Sequence, residues 1–144
     1  MTDLPTLLTE GLRPGVYRWQ SDLTPDDVRR DVADAGWDFV LLDTTEIHDK
    51  TGFLDLCATA FDLPRWFGRN WDALADSLSD RSTGEPEIVL WEGLHHLLDH
   101  DHDTVDVALQ ILAEDTTNSG QLRVLIRERS EADTPDLLSS LPVL

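Results

Sequence analysis

Two aspartates, Asp72 and Asp76, stand four residues apart in the run Trp66-Phe67-Gly68-Arg69-Asn70-Trp71-Asp72-Ala73-Leu74-Ala75-Asp76. Asn70 is a favourable N-cap, and Trp71, Leu74, Ala75 and Leu78 recur at helical spacing. The run therefore predicts a loop feeding an amphipathic helix, with both carboxylates on one neighbouring arc, a turn apart. Carboxylates so placed can receive cationic groups from outside the chain. The two differ in what they tell. Asp72 falls in the first helical turn, where the helix dipole stabilises an acid, so it has a sufficient structural reason to be there. Asp76 lies deeper, where aspartate is a weak helix former and meets a like charge at i−4. The fold gains little from that placement, and an external cation accounts for it. Trp66 precedes Gly68, whose missing side chain permits a tight turn. The indole is either a core plug or an exposed anchor for a partner, and the sequence leaves both open.

A second group with possible chemistry is His95, His96, His100 and His102, in which His96 and His100 have i, i+4 spacing among Asp99, Asp101 and Asp103. The stretch reads as an exposed helix end and loop, with no second cluster to complete a tetrahedral shell, so no metal is expected. The glycines are too dispersed for a phosphate-binding loop, and no serine sits in a nucleophile elbow. Carboxylates are too abundant for any pair to stand out as an acid–base couple. Neither catalysis nor a cofactor is expected.

These groups sit in a chain of 144 residues, the length of one domain, with 40% hydrophobic residues and a formal charge of −18. That hydrophobic share favours a folded protein over disorder. Eleven basic residues against twenty-nine acidic ones exclude the positive footprint that nucleic-acid binding needs. The excess serves solubility, or it steers a basic partner. Cys57 is the lone cysteine and falls in an apolar helical pattern, as a buried structural thiol does. It rules out a disulfide framework. The first dozen residues lack the basic head and apolar run of a signal peptide, and no stretch is apolar enough to span a bilayer. The cytoplasm is the expected location.

The elements that must position the acidic helix follow from periodicity. Strands are predicted at residues 16–19, 39–42, 88–91 and 122–126, the last interrupted by Arg123. Thr24-Pro25-Asp26-Asp27 starts a helix that runs to about Ala35 and stops at Gly36. A second helix carries Phe53, Leu56, Cys57, Ala60 and Phe61 and ends before Pro64. The third begins at Asn70, and a fourth covers residues 104–114. Strands alternating with helices imply an α/β fold with a small, mostly parallel sheet of three to four strands. Residues 130–144 read as a loose or surface-packed tail.

The run from Leu63-Pro64 to Leu78 resembles the barstar family, intracellular inhibitors of secreted microbial ribonucleases. That family shows a leucine–proline pair, two aromatics, glycine, a variable residue, asparagine and then a leucine-rich helix bearing aspartates. The order of strands and helices over residues 38–129 is also similar, leaving 1–37 as an N-terminal β-α addition to the same domain. The resemblance implies a surface of Trp66, Gly68, Asn70, Asp72, Ala75 and Asp76, joined by Glu114, that plugs a ribonuclease active site. Asp76 would be the dominant carboxylate in the phosphate pocket, and the complex would be 1:1 with a protein that is monomeric when free. The chain departs from the family pattern at Ala75, where a large aromatic contact is expected, at Asp80-Arg81, where an aromatic gives way to a repelling arginine, and at Asn118, which replaces an acid. A barstar-fold interaction module with a basic partner that is not a nuclease is the alternative.

Overall fold

A computed structural model describes residues 3–64, 66–81, 84–128 and 135–144. In chain order the elements are α1 (Leu4–Thr9), β1 (Gly15–Trp19), α2 (Pro25–Asp34), β2 (Asp38–Asp43), α3 (Lys50–Ala60), α4 (Trp71–Asp80), β3 (Glu87–Glu92), α5 (Leu94–His100), α6 (His102–Ser119) and β4 (Leu122–Arg127), followed by a 3-10 turn at Asp136–Leu138. The four strands form one sheet in the order β1-β4-β3-β2, parallel throughout.

Parallel strands covered on both faces read as apolar runs, and side chains alternate between the two faces. Val16, Val124, Val89 and Val40 are in register across the whole sheet. With Leu42, Trp91 and Ile126 they face α3, α4, α5 and α6 in the larger core. Ile88, Leu90, Leu125 and Trp19 face the other way, against Leu4 and Leu8 of α1 and Val28 and Val32 of α2. The N-terminal segment thus supplies an edge strand and the cover for the sheet's second face. Arg123 does not break β4. Its guanidinium is buried, donates to the carbonyls of Leu12 at 2.8 Å and Gln121 at 2.7 Å, and lies over the ring of Trp37.

The structure departs from or sharpens the sequence expectations at three places. The helix α1 was not foreseen, although Asp3 caps it by accepting from the Thr6 amide. The fourth helix is longer than residues 104–114 and is preceded by the separate helix α5, because Asp101 caps a new start through the Thr104 amide. Its far end, where Asp115 and Thr116 are buried, carries no apolar signal. Of the two readings of the tail, the described part takes the packed one: Leu138 is buried, and the chain end pairs with β1 through Arg18 N–H to the Pro142 carbonyl and Leu144 N–H to the Arg18 carbonyl. Residues 130–134 of that tail lie outside the described residues.

Candidate functional site

The acidic helix is held by one face and bare on the other. Leu74 and Leu78 are fully buried, and Trp71 packs its ring against Phe53, with Lys50 Nζ 5.5 Å from its centroid. α4 also packs along α6. Asn70 caps the helix: its Oδ1 accepts from the Ala73 amide at 2.8 Å, while its Nδ2 donates to the Gly68 carbonyl at 3.2 Å. Both polar atoms of its side chain are thereby engaged within the chain. Gly68 does not need a left-handed backbone. Arg69 takes that conformation, at φ 46°. A Cβ on Gly68 would come 3.2 Å from the side-chain Nδ2 of Asn70, so the glycine makes room for the capping residue.

The entering loop is fixed from below. Arg69 Nε donates to Asp55 Oδ1 at 2.6 Å, and the Phe67 amide donates to the Pro64 carbonyl. Phe67 is 5% exposed and Trp66 is 85% exposed. Of the two roles open to Trp66, the structure places it in solvent.

Asp72 and Asp76 are exposed, and neither has a side-chain hydrogen bond or ion pair among the described residues. Asp80 continues the row at the same spacing and is also exposed. Four helical residues advance about 6 Å, so the three carboxylates form a ladder of like charge along α4. The i, i+4, i+8 spacing in the sequence carries a signal for Asp80 as well. Ala75 is half-buried. Glu114 is exposed on α6, beside Asp115, whose carboxyl lies within electrostatic range of Arg81 at the end of α4.

Arg81 is not a repelling surface charge. Its guanidinium meets both carboxylate oxygens of the buried Glu87, at 3.0 and 2.7 Å, and stacks over the ring of Phe61. Its charge is spent inside the fold.

The histidines also differ from expectation. His96 and His100 lie on α5, which ends at His100 as the helical spacing implies, and the unexpected member is His48, which comes to them from the segment after β2. His95 and His102 stand outside this group. Cys57 is buried, and burial pushes its thiol far above the ordinary value, leaving it inert. No helix among the described residues is long and apolar enough to cross a membrane.

Fold and surface together define a parallel α/β protein with a bare acidic helix. The chain belongs to the barstar family, whose model, described as Barstar (barnase inhibitor), matches residues 37–128. This family is one of ribonuclease inhibitors rather than enzymes. Comparison with characterised proteins gives no sequence match. Among solved structures, the fold is similar to a chain in the structure of Drosophila ORC bound to DNA, with a TM-score of 0.63 and 16% identity. The match covers 91% of this chain and 37% of that one, and at this identity it is a likeness of fold alone.

Proposed function

We propose that this chain binds a small basic ribonuclease of the secreted type and blocks its active site with α4 and the loop before it. The observation that carries the reading is the state of Asp72 and Asp76: exposed, without an ion pair among the described residues, and a turn apart on a helix whose other face is locked into the core. Carboxylates so held can occupy sites built for substrate phosphates and pair with the cationic side chains there. Trp66 supplies a large amphipathic surface beside them, and Glu114 a further acid on the adjoining helix. The overall charge of −18 adds long-range attraction toward a basic partner. The neutralised Arg81 removes the electrostatic objection to such a partner.

In this reading the complex is 1:1, the free protein is a cytoplasmic monomer, and residues 1–37 are an addition to the same domain. Of these, α1 and α2 cover the sheet face opposite α4. One observation favours the second reading, a barstar-fold module for a non-nuclease basic protein: Ala75 offers no large side chain where the family pattern has an aromatic contact.

The test is titration of the chain against a panel of small basic secreted ribonucleases, with RNA cleavage followed throughout. Cleavage by at least one of them should fall to zero at one equivalent. Tight binding to basic proteins with cleavage unaffected would sink the inhibitor reading and leave the module.

A further inference from the structure

Three imidazoles from two distant stretches of chain meet beyond the carboxyl ends of β2 and β3. His48 belongs to the segment between β2 and α3, and His96 and His100 lie a turn apart on α5. One nitrogen from each ring can be chosen so that all three lie within 4.8 Å of one another. His48 Nδ1 and His96 Nε2 are 3.2 Å apart. That is close to the separation of two ligands on a tetrahedral ion, since metal–nitrogen bonds of about 2.0–2.1 Å give an edge of roughly 3.3–3.4 Å.

The contacts of the rings fix where one proton sits and leave a lone pair free. His100 Nδ1 is 2.8 Å from the carbonyl oxygen of His96. A carbonyl can only accept, so Nδ1 carries the proton and Nε2 keeps its lone pair. This is the outer-shell arrangement that orients a metal-binding histidine. Between His48 and His96 one ring carries the bridging proton. On metal binding that proton moves to the far nitrogen of the same ring, and both inner nitrogens become donors.

The backbone behind the cluster is fixed. Thr44 Oγ1 donates toward the carbonyls of Glu92 and Gly93 at 3.2 and 2.9 Å and accepts from Trp91 Nε1 at 2.9 Å. Gly93 stands at φ 72° at the start of α5, where a Cβ would come 2.6 Å from the Thr45 amide nitrogen. The segment bearing His48 and the helix bearing the other two are thereby held in one relation.

We propose that His48, His96 and His100 bind one divalent late transition ion, with zinc as the natural occupant and water on the open side. Imidazole donors suit this class of metal, and the ion would staple the segment after β2 to α5. The proposal uses no residue of the acidic face and stands apart from the ribonuclease reading.

Surface acids alone would attract cations weakly to so negative a chain, so the test must separate donors from general charge. The chelator-treated full chain is titrated with zinc chloride by calorimetry at neutral pH, and its cobalt(II) spectrum is recorded. One zinc per chain is expected, with a visible cobalt band of tetrahedral type and no comparable binding of magnesium or calcium. H48Q and H100Q should each weaken zinc on the order of tenfold or more. H95Q and H102Q should leave it unchanged. Both ligand positions are exposed, so the variants should keep the native circular dichroism. If one unfolds, the other variant and the cobalt spectrum of the native chain decide. Absence of saturable zinc binding would overturn the proposal, and so would zinc affinity equal in the native chain, H48Q and H100Q.

Discussion

Trp66 and Phe67 are joined by one peptide bond, yet the first ring is 85% exposed and the second 5%. The turn closed by the Phe67 amide on the Pro64 carbonyl separates the two directions. Phe67 anchors the loop in the larger core, and Trp66 is left in solvent. An exposed ring contributes little to folding, and its value lies in what covers it. Trp66→Ala should therefore leave the unfolding free energy within about 0.5 kcal/mol of the parent. The same change should weaken partner binding by about 2 kcal/mol. Phe67→Ala should instead cost about 3–5 kcal/mol of stability. Denaturant unfolding alongside binding calorimetry distinguishes the two, and a large stability loss from Trp66→Ala would return that ring to the core.

Asp76 and Asp72 should separate in the same way. Asp76→Ala removes a carboxylate that the fold does not use and relieves a like charge at i−4, so stability should hold or rise slightly. Its effect on binding should be a loss of roughly 2–5 kcal/mol, a range that rests in part on the barnase–barstar pair, the archetype of this family. Asp72→Ala should cost a few tenths of a kcal/mol of stability through the helix dipole, with a smaller effect on binding. Binding of the parent should weaken as salt is raised. Equal losses in folding and binding for Asp76→Ala, or a flat salt response, would count against the electrostatic reading.

The strands and the helices α2, α3 and α4 were legible because their apolar positions repeat at the period of the element, and because Thr24 and Asn70 announce their starts. What escaped was decided by tertiary packing. α1 is a six-residue helix with only Leu4 and Leu8 buried, too short to show a period. α6 runs past its apolar stripe, and its buried residues there are Asp115 and Thr116, which no hydropathy pattern reports. Trp66 and Arg81 could not be oriented from sequence, since an exposed aromatic and a buried arginine each need a neighbour to explain them. His48 was invisible for a topological reason. It follows Asp43 at the end of β2 as His96 follows Glu92 at the end of β3, and only the adjacency of those two strands brings the rings together.

The Arg81–Glu87 pair predicts a stability effect with no counterpart in binding. Glu87 is 4% exposed, and both of its carboxylate oxygens are met by Arg81. Arg81→Met would leave that carboxylate buried without its cation, a cost of about 3 kcal/mol or more. Replacing both, as Arg81→Met with Glu87→Leu, should recover most of the loss, because the uncompensated charge disappears with its partner. Unfolding midpoints of the single and double variants check this. A single variant as stable as the parent would show that the pair lies in water.

Asp115 sits close to that pair and behaves in the opposite sense. Burial raises its carboxyl above the ordinary value, Arg81 pulls it part of the way back, and Glu87 pushes it further up. Its Oδ1 is buried without a hydrogen-bond partner among the described residues. A carboxyl whose folded value lies above its unfolded one gives stability that is complete below the unfolded value and is lost as pH rises through the folded one. At neutral pH the ionised group is therefore a liability. Asp115→Asn keeps the shape and removes the charge, so it should stabilise the chain by on the order of 1 kcal/mol near neutrality. The gain should shrink toward zero as the solution is acidified below the ordinary carboxylate value of about 4, where the parent carboxyl is also neutral. Denaturant midpoints of parent and variant across that pH range carry the test. A variant less stable than the parent at neutral pH would mean that attraction to Arg81 outweighs the cost of burying the charge.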